Sequence, residues 1–254
     1  MLPKKVSSGI NGLDELIGGG FPEGRVVLVV GGPGSGKTIM CSQFLYKGIQ
    51  ENKENGVFIS LDESKKHYYS EMKGFGWDFE KAEREGKFSF IDATRMSRVA
   101  MLKEALYKEE SGSLRGKALP VDKLIGDIQA KIQSVSAKRV VVDTLAALVY
   151  RFPDPVERRT TVVDLIESLA DLGVTSLVTT ELGHLGSVER GALDEEFLVH
   201  GVIMLQTLFS GGTTTRAMQV EKMREAKVNP SLVPYSIDKS GIEVFPNMPL
   251  FGEK

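Results

Sequence analysis

Apolar positions along the chain fall into two textures. Val26-Val27-Leu28-Val29-Val30 is continuous, β-branched and bounded by glycines, the reading of a strand buried on both faces of a parallel sheet. From Lys37 the pattern becomes helical. Ile39, Met40, Phe44, Leu45 and Ile49 recur near a 3.6-residue period until polar Asn52–Asn55 and Gly56 end it, predicting a helix from Lys37 to about Lys53. Val57–Leu61 reads as a second strand and Ser64–Lys73 as a second helix. Further strands are expected at Phe88–Ile91, Val140–Val142 and Val174–Thr179, with helices over Val121–Val135 and Pro155–Leu172. This alternation, with right-handed crossovers, predicts an α/β fold: a mostly parallel central sheet with helices on both faces.

Beyond Val202 the texture changes again. Val202–Phe209, Arg216–Met223, Pro234–Ile237 and Ile242–Phe245 are short strand candidates separated by Gly-Gly, Asn-Pro and Lys-Ser-Gly turns, so the sheet is expected to end in antiparallel hairpins. No repeat or linker interrupts the chain, and a single domain over residues 1–254 is expected. Two polar segments, Thr94–Pro120 and Leu182–Glu196, follow predicted strands. Loops there would border the ligand crevice of an open parallel sheet, or else be solvated surface excursions.

Composition narrows the class. With 41% hydrophobic and 26% charged residues the chain has ordinary globular proportions, which excludes fibrous and disordered classes. Lys plus Arg is 32 against 34 Asp plus Glu, a net charge of −2, so no overall basic field draws it to nucleic acid or anionic lipid. The one cysteine, Cys41, closes no intrachain disulfide, and His67, His184 and His200 are too widely spaced for a structural zinc site. Cys41 and Trp77 read as packing residues, and His184 receives no role. Apolar runs of about five residues fall far short of the roughly 18 that suggest a membrane span, and no apolar stretch follows the N-terminal lysines. A cytoplasmic location is expected.

The strongest chemical signal is Gly31-Gly32-Pro33-Gly34-Ser35-Gly36-Lys37-Thr38, a G-x-x-x-x-G-K-[ST] loop between a predicted strand and a predicted helix. Anionic phosphates require several backbone N–H groups converging at a helix N-terminus, and glycines permit that curvature. Nucleotide contacts are therefore expected from Gly32, Pro33, Gly34, Ser35, Gly36, Lys37, Thr38 and Ile39, with Lys37 on the β/γ-phosphates and the Thr38 hydroxyl on Mg²⁺. Arg139-Val140-Val141-Val142-Asp143 has the form of a Walker B strand, making Asp143 the second partner of the magnesium site. Asp62 and Glu63, at the end of the second strand, would project into the same crevice. One could polarise the attacking water, while helix capping by Asp62 or Ser64 explains the same residues differently. Thr179 and Thr180 end a strand expected beside the Walker B strand, where a hydroxyl could sense the γ-phosphate.

The order of motifs resembles a known family. Ser8-Gly9-Ile10-Asn11-Gly12-Leu13-Asp14-Glu15-Leu16, then Gly18-Gly19-Gly20-Phe21-Pro22-Glu23-Gly24 and the phosphate loop, is similar to the opening of RecA/RadA-type ATPases, closest to their KaiC-like branch. Ser60-Leu61-Asp62-Glu63-Ser64, Gly76-Trp77-Asp78-Phe79, Phe90-Ile91-Asp92-Ala93, Thr179-Thr180-Glu181, Glu195 to Val202 and Lys222-Met223-Arg224 continue the resemblance over nearly the whole chain. It implies an ATP-hydrolysing RecA-like core that assembles as a ring, usually a hexamer, with ATP at subunit interfaces. It also implies that Lys222 and Arg224 reach the γ-phosphate of a neighbouring subunit, although a solvated basic strand face would show the same alternation.

Three departures qualify the resemblance. Clock KaiC carries two such domains in tandem, whereas this length accommodates one. Asp194-Glu195-Glu196 stands where the phosphorylated KaiC domain has adjacent Ser and Thr, which argues against an autokinase. Glu225-Ala226-Lys227-Val228 differs from the usual segment after the basic pair, so ATP rather than GTP rests on the resemblance alone. A ring-forming nucleotide switch acting on a protein partner is the leading expectation. Alternatives are a DNA-dependent recombination ATPase and an ATP-binding scaffold without hydrolysis. DNA is not favoured, because Lys103, Lys108, Arg115 and Lys117 are interspersed with Glu104, Glu109 and Glu110, and no aromatic stacking platform accompanies them.

Overall fold

The computed structural model describes residues 4–94, 121–149, 154–181, 194–210 and 212–250. In chain order the first elements are β1 (Lys5–Val6), α1 (Leu13–Leu16), β2 (Phe21–Pro22), β3 (Val26–Gly31), α2 (Lys37–Lys47), β4 (Gly56–Ser60), α3 (Lys65–Lys73), α4 (Phe79–Arg84) and β5 (Phe88–Asp92). There follow α5 (Val121–Ser134), β6 (Arg139–Asp143), α6 (Leu145–Val149), α7 (Pro155–Asp171), β7 (Thr175–Glu181), α8 (Asp194–Leu198), β8 (Gly201–Ser210), β9 (Thr213–Met223), β10 (Val233–Asp238) and β11 (Gly241–Val244).

Alternate residues of β3 enter two different cores. Val27 and Val29 pack on one face with Met40, Phe44 and Leu45 of α2, while Val26, Leu28 and Val30 pack on the other with Leu165, Ile166 and Leu169 of α7. A strand apolar at every position is satisfied only in this way, between two helical layers. The large sheet has the order β11-β10-β9-β8-β3-β7-β6-β4-β5. From β8 to β5 all neighbours are parallel, and β9, β10 and β11 close one side as antiparallel strands, as the hairpin turns predict. Because β7 and β6 lie between β3 and β4, the loops after all four strands leave the same edge on either side of a switch in strand order, where such sheets form their ligand crevice.

Several elements are not anticipated from the pattern. The β1–β2 ribbon and helices α1, α4, α6 and α8 are too short to show a period, and α4 is marked instead by its N-cap, Asp78, which accepts a hydrogen bond from the Lys81 N–H at 2.8 Å. The last three residues of the expected irregular segment Leu182–Glu196 belong to α8; its residues 182–193, which include His184, lie outside the described residues, as do residues 95–120 with Lys103, Lys108, Arg115 and Lys117.

The helix expected to reach Lys53 ends in a π-helical turn, Gly48–Asn52. The cause is Arg139 at the start of β6, whose side chain is fully buried against this turn. Its guanidinium donates to the Phe44 carbonyl at 2.8 Å, to Asn52 Oδ1 at 3.1 Å and to Glu54 Oε2 at 2.7 Å, and lies over the Phe44 ring. A Cβ on Gly48 would fall 2.3 Å from Arg139 Nε. Gly48→Ala is therefore expected to destabilise the wild-type chain by about 2 kcal/mol through steric conflict. In an Arg139→Ala background the same change becomes neutral or stabilising by up to about 1 kcal/mol, the ordinary helix preference for Ala over Gly. Urea denaturation of the four chains measures this sign reversal.

Candidate functional site

The loop leaving β3 is held by its own backbone. Gly34 and Gly36 adopt φ of 72° and 91°, in the left-handed region that glycine enters without penalty. Ser35, only 1% exposed, turns inward, and its Oγ donates to the Gly32 carbonyl at 2.8 Å. The N–H groups of Gly34, Gly36, Lys37 and Thr38 donate to no acceptor among the described residues, leaving a concave set of donors at the N-terminus of α2. Lys37 Nζ folds back onto the Gly31 and Gly32 carbonyls at 2.8 and 3.2 Å. Burial lowers its pKa, an effect opposed by the carboxylates of Asp143 and Glu181. Ile39, in the first turn of α2, packs against the α2-side core.

Strand register brings the acidic residues to this loop. Ser60 pairs with both Asp143 and Asp92, and Gly31 pairs with Glu181, so five strand ends lie along one edge of the sheet. Asp143 Oδ2 accepts from Thr38 Oγ1 at 2.7 Å, and Asp143 Oδ1 accepts a short hydrogen bond from Thr179 Oγ1. Thr144 Oγ1 in turn donates to the Thr179 carbonyl at 3.1 Å. Burial pushes the Asp143 carboxyl above its ordinary range, and the bonds from Thr179 and Thr38 and the charge of Lys37 oppose that rise. Thr179 therefore touches Asp143 directly, while Thr180, one position on, is 5% exposed.

Asp62 and Glu63 line the same cavity, which has a volume of about 620 Å³. Neither Asp62 nor Ser64 caps α3: Ser64 occupies the N-cap position without a side-chain hydrogen bond, and Asp92 Oδ2 accepts from the Lys65 N–H at 3.4 Å. The Glu63 N–H donates to Ser60 Oγ at 2.9 Å, which fixes the turn. The Glu63 carboxyl is raised from 4.5 to about 7, first by burial and then by repulsion from Glu71, Asp143 and Asp62. Such a carboxylate accepts a proton readily near neutrality. Asp62 is exposed.

His67, Glu71, Asp92, Thr94 and Glu181 also line the cavity and were not singled out from sequence. Asp92 carried a usable signal, since Phe88-Ser89-Phe90-Ile91-Asp92 repeats the apolar-run-then-acid form of the Asp143 strand.

Lys222 and Arg224 are elsewhere. Met223 pairs with Gly201, and Gly201 with Val27, which places the basic pair at the N-terminal end of β3, whereas the loop leaves its C-terminal end. Six residues of strand separate them, about 20 Å at the usual rise. Lys222 Nζ donates to the carbonyls of Glu196 and Val199 at 3.0 and 2.7 Å, at the C-terminal end of α8. Burial, and then the charge of Arg224, lower its pKa. The Arg224 N–H donates to the His200 carbonyl at 2.8 Å. Its side chain is exposed and makes no hydrogen bond or ion pair among the described residues. Within one chain the pair does not reach the loop.

A mostly parallel sheet with antiparallel closing strands and a glycine-rich loop at its switch point defines an α/β protein of RecA-like fold. The family model described as ATPase: KaiC matches residues 6–248, and the chain belongs to this KaiC-like family. It is 35% identical over 246 residues to a UPF0273 protein of Methanocaldococcus jannaschii, covering 96% of this chain and 97% of that one. It is 32% identical to the circadian clock protein KaiC3 of Synechocystis over 96% of its own length, but spans only 46% of that longer protein. A crystal structure of a KaiC-like protein from Pyrococcus horikoshii superposes with a TM-score of 0.79 at 36% identity, covering 96% of this chain and all of that one.

Because the folded Glu63 carboxyl binds its proton up to about pH 7 and the unfolded one only to about 4.5, its ionisation opposes folding as pH rises through that window. Glu63→Gln is expected to leave stability unchanged near pH 4.5 and to raise it above pH 7. The gain is roughly 1–2 kcal/mol, less than full linkage because the side chain is partly in solvent. Chemical denaturation at pH 5 and pH 8 checks it.

Proposed function

We propose that the protein binds and hydrolyses ATP and acts as a ring-forming nucleotide switch. The observation that carries this reading is the convergence of Lys37, Thr38, Asp143 and Glu63 on one cavity at the end of the parallel strands. The triphosphate lies in the loop from Gly32 to Ile39, where Gly34, Gly36, Lys37 and Thr38 offer N–H groups that have no acceptor among the described residues. Lys37 exchanges the Gly31 and Gly32 carbonyls for the β- and γ-phosphate oxygens. The residues fit a magnesium ion, since a hydroxyl and a carboxylate face each other at 2.7 Å: Thr38 would hold it directly and Asp143 through its water shell. When bound, the ion would supply neutralisation of phosphate charge.

Glu63 accepts the proton of the attacking water as the new O–P bond forms at the γ-phosphorus and the β–γ bridging bond breaks. Asp62, more exposed, contributes negative charge that keeps the Glu63 pKa high. Arg224 supports the ring. Its guanidinium, exposed and without a partner among the described residues, lies about 20 Å from its own loop by strand rise; it serves the site of an adjoining copy, where it stabilises the charge developing on the γ-phosphate. Lys222 anchors the same segment to α8. A hexameric ring, a cytoplasmic setting and a regulatory protein partner complete the proposal, supported by the kinship with a protein named for the circadian clock.

Slow ATP turnover is expected from a ring fraction, with an acid limb near pH 7 from Glu63 and no stimulation by single-stranded DNA. Glu63→Gln and Arg224→Ala each lower turnover at least about 100-fold, within the range general-base and finger groups contribute. Mixing the two inactive variants restores part of the activity, because some sites then combine an intact Glu63 with a neighbour's Arg224. No recovery on mixing refutes the trans arrangement, and many-fold stimulation by DNA refutes the switch in favour of a recombination-type ATPase.

A further inference from the structure

The C-terminal hairpin β10–β11 lies against the phosphate loop, a contact with no counterpart in the loop motif itself. The Tyr235 hydroxyl donates to the Ser35 carbonyl at 2.6 Å. Ile237 Cδ1 lies 2.6 Å from where a Cβ on Gly36 would stand. The hairpin is fixed to the helix after the loop by Gln43, whose Nε2 donates to the Ile242 carbonyl at 3.1 Å and whose Oε1 accepts from the Ile242 N–H at 2.6 Å. Tyr235 is 4% exposed. Burial pushes its hydroxyl pKa up to about 12, so it remains a donor throughout the physiological range.

In a planar trans peptide the carbonyl and the following N–H point in opposite directions. Holding the Ser35 carbonyl outward, toward the hairpin, thus turns the Gly36 N–H to the other side. That N–H is among those without an acceptor in the described residues. Glycine at position 36, with φ of 91°, gives the peptide no steric preference of its own. The Tyr235 hydroxyl supplies one from outside the loop.

We infer that Tyr235 is a positioning residue for the phosphate loop: its hydroxyl orients the Ser35–Gly36 peptide so that the Gly36 N–H is aimed at the bound phosphate before nucleotide arrives. The inference deepens the reading of this loop as a nucleotide site and rests on it. Without the hydroxyl the loop samples other peptide orientations, and apparent affinity falls by the fraction of molecules that remain competent.

The test is Tyr235→Phe, which keeps the ring and the packing. In the nucleotide-free protein, conformational exchange at the Gly36 and Lys37 amides, read by NMR relaxation dispersion, is expected to grow about three- to tenfold, the factor for losing roughly one hydrogen bond. The Kd for ADP, measured by calorimetry, rises by a similar factor, and the KM for ATP rises more than kcat falls. Unchanged exchange with unchanged ADP affinity overturns the inference, even if the variant is less thermostable, because a merely structural tyrosine would produce that result. Failure of the wild-type chain to bind ADP would sink the nucleotide reading instead. The exchange measurement on the free protein then still decides the brace, and an unaltered rate rejects it.

Discussion

A carboxylate drawn out of water is the constraint around which the site is organised. Asp143 ends a strand buried on both faces, and burial alone would favour its neutral form. It is satisfied from two directions, by Thr38 from the start of α2 and by Thr179 from the neighbouring strand β7. Those hydroxyls tie three elements to one oxygen pair: the helix after the phosphate loop, the Walker B strand and the strand between them and β3. A buried anion with incomplete partners would be costly, so the same bonds that stabilise Asp143 also set the distance between loop and strand end. The metal site proposed there uses groups already in register.

The second organising force is repulsion. Glu63, Glu71, Asp143 and Asp62 share one cavity with Lys37, the one lysine among its described lining residues, and burial followed by this repulsion raises the Glu63 carboxyl to about 7. An arrangement that costs stability above neutrality is what a base needs in order to hold a proton near pH 7. The opposite end of the sheet shows a contrasting economy of charge. Arg25 and Glu225 pair at 2.6 Å, and Lys222 closes the end of α8, while Arg224 beside them has no partner among the described residues.

The back of the sheet shows how far polar burial shapes the helix that carries the loop. Arg139, at the start of the Walker B strand, widens the end of α2 into a π-helical turn by occupying space that any side chain on Gly48 would need. Phosphate loop and Walker B strand are therefore joined twice, by Thr38 with Asp143 at one end and by Phe44 and Asn52 with Arg139 at the other. The helix is fixed along its length relative to β6.

Much of this was legible in the chain. Continuous β-branched runs revealed the parallel strands, glycine spacing the phosphate loop, and an acid closing an apolar run Asp143, because each depends on residues adjacent in sequence. The resemblance supplied the family and the interest of Lys222 and Arg224. Short elements such as α4 and α8 were not legible, since one turn of helix shows no period. Nor were the direct hydrogen bonds of Thr38 and Thr179 to Asp143, the nearness of Glu71 to Glu63, the distance of Arg224 from its own loop, or the contact of Tyr235 with Ser35. The hydroxyls on Asp143 come from residues 36 and 105 positions away, and Tyr235 meets Ser35 across 200; burial and register, which only the packed sheet creates, decided them. Sequence alone determined which segments form strands, helices and the loop, because local pattern governs local structure. Tertiary structure decided which side chains meet, because strand order and the pairing of distant segments set the spacing and dielectric through which their charges act.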